Sequence, residues 1–213
     1  MAAKVVFFDV ANTLLHKPGL YPAMLRALRA HGANVPARLL LERHRLLSEA
    51  VMFPDRTSRH FYDEFNAHLL RSLGIAPTDP LLDGLFSACS YLPWEVFPDT
   101  DQLDSLALSI GILSNWDASL QERLSMLGRI RPLWIFGSSQ QRLRKPDPAF
   151  FRLAIDATGV PPADIAVVGD SLRLDIEPAL RLGMQAFLID RDDLYPTATV
   201  QRIRHFGELR ALL

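Results

Sequence analysis

Five short apolar runs, at positions 4–8, 110–113, 133–136, 165–168 and 185–189, constrain this chain more than any other feature. Runs of about four apolar residues without polar alternation suit strands buried on both faces. Three of the stretches that follow them have helical spacing and stop at a glycine: Gly128, Gly159 and Gly183. Strands and helices alternating at this interval predict an α/β fold with a doubly wound, Rossmann-like parallel sheet.

Between the first run and the second the pattern changes. From residue 21 to about 91 apolar residues recur only at helical spacing, as in Met24, Leu25, Leu28 and in Phe61, Phe65, Leu69, Leu70. Turn-forming clusters at 32–36, 54–58 and 74–78 divide this region into four helices. Seventy residues of helix exceed one crossover, so residues 17–98 are expected to form an inserted, all-helical cap domain. Residues 1–16 and 99–213 form the α/β core. Asp99 or Thr100 is expected to cap a helix running to about residue 109, residues 137–144 to form a polar loop, residues 174–182 a helix, and the tail from residue 201 a last short helix.

Composition narrows the function classes. At 213 residues and 49% hydrophobic content the chain buries a full core, and a net charge of −1 offers no basic surplus for nucleic acid or an anionic membrane. No apolar run reaches the length of a membrane helix or of a secretory leader. The only cysteine, Cys89, excludes an intrachain disulfide, fits a reducing cytoplasm and reads as a small hydrophobe rather than a catalytic thiol. Oligomeric state is not legible here.

Chemistry-bearing residues gather where the strands end. Asp9 follows the first run, Ser114 and Asn115 the second, Asp170 the fourth with Asp175 five residues on, and Lys145 lies in the loop after the third. Ligands of open parallel sheets bind at the carboxyl ends of the strands. Each residue alone also reads as a turn residue, a helix cap or a surface charge. Together they describe phosphoryl transfer: a carboxylate nucleophile, a hydroxyl and an amide for phosphoryl oxygens, a lysine for charge, and a second carboxylate for a divalent ion.

In order, Asp9 to Thr13, Ser114 to Asp117, Lys145 to Pro148 and Gly169 to Asp175 match the four motifs of the haloacid dehalogenase-like hydrolases. The chain resembles that superfamily, with a helical cap inserted after the first strand. The resemblance implies Asp9 as the nucleophile of an aspartyl-phosphate intermediate, with Thr13 supporting its loop. It places Ser114, Asn115 and Lys145 around the phosphoryl group of a small phosphorylated substrate. It implies Mg²⁺ held by Asp9, Asp170, the backbone carbonyl of Ala11, and Asp175 directly or through water.

One position departs from the phosphatase pattern. Ala11 stands where those enzymes carry a second aspartate that protonates the leaving oxygen and then activates water. Proton transfer contributes roughly 10²–10⁴ in rate, so poor leaving groups should suffer most. Phosphonoacetaldehyde hydrolases resemble this motif, but they need a cap lysine, and residues 20–98 contain none; Lys17 lies only at the edge of the insertion. A 2-haloacid dehalogenase needs no leaving-group acid, and a binding protein with weak or lost turnover needs none either. His16 titrates in the right range to replace the acid. His16, Arg56, Arg59 and Trp116 are candidates to line a substrate pocket, although the two arginines read equally as a solvated helix start.

Overall fold

The computed structural model describes residues 3–213. The chain divides into two compact units, one built from the segment up to His16 together with Val96–Leu213, the other from Lys17–Glu95.

In the first unit, strand β1 (Val5–Phe8) is buried along its whole length. In the chain it is followed by a short strand β2 (Leu15–His16) and then by the second unit, with helices α1 (Leu20–Ala30), α2 (Ala37–Ala50), α3 (Arg59–Ser72) and α4 (Asp79–Cys89). The first unit resumes after β3 (Glu95–Val96) with β4 (Ser109–Ser114), α5 (Leu120–Leu124), β5 (Trp134–Gly137), α6 (Ser138–Gln141), α7 (Pro148–Thr158), β6 (Ile165–Gly169), α8 (Glu177–Arg181), β7 (Gln185–Ile189) and β8 (Gln201–Ile203). Six strands form one sheet in the order β5-β4-β1-β6-β7-β8, and every pairing in it is parallel. The fold is therefore α/β and Rossmann-like.

Chain order puts β1 at the centre, with β4 and β6 on either side in matched register, so that Phe8 lies opposite both Ile112 and Val168. The carboxyl ends of these three strands consequently open at one edge. Packing needs a glycine beside Phe7. Its register partner in β4 is Gly111, where a Cβ would sit 2.2 Å from the Phe7 ring. That ring completes an aromatic group with Trp134 and Phe136 of the edge strand β5.

Several local expectations are corrected. The tail is not only helical: Gln201–Ile203 adds a sixth strand beside β7, and only Phe206–Ala211 winds, as a 3-10 turn. Three residues are too few for a period-2 signal, though Ile203 is fully buried. Pro98–Ser105 is a 3-10 helix entered at Phe97, and residue 109 already belongs to β4. Asp99 does not cap it, because its carboxylate accepts from Arg191 and from the Phe206 amide. The polar loop at 137–144 contains the single turn α6. The helix expected at 174–182 starts as a wide π-type turn, Leu172–Ile176, before α8. Asp147 caps α7 through the Ala149 amide, as Asp-Pro at a helix start suggests.

The second unit has its own core, in which Met24 and Leu28 of α1, Leu40 of α2, Leu69 and Leu70 of α3, and Leu81 and Leu85 of α4 pack together. Ser58 accepts from the Phe61 amide and starts α3. Among the described residues no helix is long and apolar enough to cross a membrane. Cys89 is half-buried and its thiol is pushed up to about 11 by burial, the state of an inert packing residue.

His44 of α2 lies edge-on to Tyr21 and Phe65, with ring centroids 5.4 and 5.2 Å away. Burial first, and Arg45 beside it second, push its pKa down to about 4 from 6.5. The unfolded chain then binds the proton more tightly than the folded one. Stability from the neutral ring is complete above pH 6.5 and is lost as pH falls toward 4. The thermal midpoint of wild type should fall relative to that of His44→Phe over this window; parallel curves for the two proteins would refute the assignment.

Candidate active site

Asp9 leaves the end of β1 into a tight loop. The Val10 carbonyl accepts from the amides of Thr13, Leu14 and Leu15, and the Asn12 amide donates to the Leu15 carbonyl at 2.6 Å. Asn12 takes a left-handed φ of 59°, which asparagine tolerates better than most residues. The loop turns back at once, leaving Asp9 at the sheet edge, 7% exposed.

Two donors converge on Asp9 Oδ1. Ser114 Oγ, from the last residue of β4, donates at 3.1 Å, and Lys145 Nζ donates at 2.5 Å. Lys145 Nζ also donates to Asp175 Oδ1 at 2.5 Å, so one buried ammonium bridges two buried carboxylates. Burial alone would lower the Lys145 pKa, but Asp175 and Asp9 more than offset this and raise it. The carboxylates respond to burial in the opposite sense. Asp175 is pushed up to about 7, burial outweighing the attraction of Lys145, with Asp9 and Asp170 adding repulsion. Asp9 is raised in the same way.

Asp170 follows β6 and completes the group. Asp9, Asp170 and Asp175 each offer a carboxylate oxygen, and these oxygens lie within 4.8 Å of one another. Hard oxygen donors at this spacing suit a hard divalent cation such as Mg²⁺, and the donor set fits one. Asp175 is held in turn by the Ser171 amide, which donates to Oδ2 at 3.2 Å, and Ser171 Oγ accepts from the Leu174 amide at 2.9 Å.

Asn115, a candidate to sit beside a phosphoryl group, has its side chain bonded to the backbone of Lys145. Oδ1 accepts from the Lys145 amide at 2.8 Å and Nδ2 donates to the Lys145 carbonyl at 3.0 Å. The amide thus grips the backbone of Lys145 and aims its long side chain, explaining how a loop residue reaches the strand-end carboxylates. No sequence spacing signals such a bond between residues 115 and 145.

The remaining candidates have these surroundings. Thr13 is fully buried, its carbonyl accepting from Arg191 at 3.1 Å. Ala11 forms a lone bridge with Leu15. His16 stacks on Phe97, centroids 4.0 Å apart and planes 12° from parallel. Trp116 donates its indole N–H to Ser119 Oγ at 3.0 Å. Arg59 is exposed, donates to Asp63 at 2.7 Å and to Asp83, and lies over the Phe86 ring. Arg56 is exposed. A residue that sequence reasoning did not single out, Arg191, also contacts the Asp9 loop; it stands two positions past the end of β7, the same kind of position that drew attention to Asp9 and Asp170.

Gly169 is the residue on which this packing depends. A Cβ there would lie 2.2 Å from Asp175 Cγ. Gly169→Ala should therefore push Asp175 off Lys145 and cost about 1–3 kcal/mol, readable in urea unfolding. Stability within a few tenths of wild type would show that Asp175 can give way freely.

Three comparisons with known proteins agree with this fold. The family described as haloacid dehalogenase-like hydrolase matches residues 3–183. The (S)-2-haloacid dehalogenase 4A of Burkholderia cepacia is 28% identical over 212 residues, 93% of this chain and 87% of its own. The glyceraldehyde 3-phosphate phosphatase of Methanopyrus kandleri is 29% identical over 206 residues, 88% of this chain and 84% of its own. Among solved structures, the putative hydrolase YfnB of Bacillus subtilis superposes with a TM-score of 0.64 at 19% identity, covering 100% of this chain and 99% of that one. With the strand-end carboxylates, the bridging lysine and the match over most of its length, this chain belongs to the haloacid dehalogenase-like hydrolases.

Proposed function

We propose that this hydrolase is a Mg²⁺-dependent phosphatase acting on a small phosphorylated molecule. The observation that carries the reading is the convergence of Asp9, Asp170 and Asp175 oxygens within 4.8 Å, with Lys145 bridging two of them. Asp9 and Asp170, with Asp175 directly or through water and the Ala11 carbonyl, would hold the ion. When bound, it neutralises phosphoryl charge.

The protein's own groups do the rest. Asp9 is oriented by the donors on its Oδ1, so its carboxylate attacks phosphorus without first reorganising. The phosphorus–oxygen ester bond breaks, the leaving oxygen departs with its electron pair, and aspartyl-phosphate remains. Ser114 Oγ and Lys145 Nζ stand beside Asp9 to take phosphoryl oxygens as charge shifts onto them. Water then attacks phosphorus, releasing phosphate and restoring the Asp9 carboxylate. The helical unit enters the chain just after the Asp9 loop, and we assign it the role of a cap that selects the substrate.

Ala11 limits this chemistry. Its methyl group neither protonates a leaving oxygen nor activates water, so good leaving groups such as acyl or aryl phosphates are favoured over alkyl esters. The same residue favours a second reading, 2-haloacid dehalogenation, in which Asp9 attacks carbon and expels halide without a proton. The Burkholderia relative is a dehalogenase by name. The carboxylate group favours the phosphatase, because three oxygen donors within 4.8 Å suit a divalent cation, which halide displacement does not require.

Purified protein should hydrolyse an aryl phosphate with Mg²⁺, lose that activity with chelator, and lose it in Asp9→Asn. Release of chloride from 2-chloropropionate without metal, in place of phosphate release, would decide for the dehalogenase. Ala11→Asp should raise turnover of an alkyl phosphate about 10-fold or more, a part of what a proton donor supplies. No gain in a folded, metal-binding variant would show that a missing acid is not what limits the site.

A further inference from the structure

The loop that carries Asp9 is gripped from a second direction, by Arg191. Its Nη2 donates to the Thr13 carbonyl at 3.1 Å and its Nη1 to Asp99 Oδ2 at 2.8 Å. The guanidinium lies over two rings, 3.9 Å from the centre of Phe97 and 4.8 Å from that of Phe206. Both rings touch the same stretch of chain again. Phe206 packs edge-on against Phe8, the residue before Asp9, at 5.5 Å, and Phe97 stacks with His16 and donates its amide to the Leu14 carbonyl at 3.0 Å. Asp99 Oδ2 also accepts from the Phe206 amide at 2.8 Å, so Arg191, Asp99 and Phe206 form a closed unit.

We propose that Arg191 is a positioning residue for the reaction: by holding the Thr13 carbonyl from a stacked, ion-paired guanidinium, it fixes the loop that sets where Asp9 points. This rests on the reading of Asp9 as nucleophile. Within the loop, three amides converge on the Val10 carbonyl and the Asn12 amide bonds the Leu15 carbonyl, which determines its curvature. The Asp9 amide ties its start to the Val168 carbonyl of β6, and none of these bonds holds the Thr13 carbonyl on its far side. Arg191 supplies that second anchor, and it reaches the segment at Thr13 while its ring partners reach it at Phe8 and His16. A planar cation with several donors does this; a lysine keeps one hydrogen bond but cannot bond Asp99 and Thr13 while lying flat over both rings.

The test uses Arg191→Gln and Arg191→Lys in the full chain, with three readouts: thermal midpoint, amide hydrogen exchange, and kcat and KM for an aryl phosphate with Mg²⁺. Arg191→Gln is expected to lower kcat about 10- to 100-fold with KM within about threefold, as a misplaced nucleophile would. Exchange at Leu14 and Leu15 should rise about 10-fold while the β6 amides stay as in wild type. Arg191→Lys should recover part of kcat. Unchanged kcat overturns the proposal, and so does a lowered kcat with unchanged loop exchange. If Arg191→Gln does not fold, Arg191→Lys decides by the same readouts, with the same signs and smaller size. Absence of turnover in wild type would sink the phosphatase reading instead, and loop exchange alone would then decide whether Arg191 clamps the loop.

Discussion

A lysine ammonium almost wholly removed from water is tolerated only where opposite charge meets it, and Lys145 is met by Asp9 and Asp175 at 2.5 Å each. The charges do not balance: with Asp170 beside them, three carboxylates face one ammonium. Burial then works against the surplus, pushing Asp175 up to about 7 and raising Asp9. A divalent cation would cancel that surplus, and the neighbouring backbone is arranged so that these groups cannot move apart. Asn115 holds Lys145 by both its amide and its carbonyl, and Gly169 lets Asp175 approach to a distance that a Cβ would prevent.

Much of this clustering is legible in the sequence. Strand-end reasoning found Asp9, Ser114 and Asp170, because short apolar runs announce buried parallel strands and the following residue falls at their open edge. What failed to show was what depends on tertiary contact. Asn115 reads as a phosphate ligand, since an amide after a strand is chemically suited to one, and the fold adds a second task that the sequence does not show: its side chain holds the backbone of Lys145. The sixth strand escaped because three residues carry no period, and Asp99 looked like a helix cap because its pairing with a residue 92 positions later leaves no local trace.

Ala11 keeps two chemistries in view. Relatives named for dehalogenation and for phosphate removal match this chain over similar lengths and at similar identity, so overall similarity does not separate them. On the proposed reading the distinction lies in a few side chains around Asp9, where a carboxylate group would hold a metal and an alanine offers no proton.

The clustered polar side chains come from residues 9, 114, 145, 170 and 175, with Asp9 meeting Ser114 across 105 positions and Lys145 across 136. Bringing them together requires β1, β4 and β6 to lie side by side. The site therefore exists only where the central strands are paired. By linkage, any ligand that grips it bears on the whole sheet, raising resistance to unfolding throughout the first unit and not only at the loops it touches.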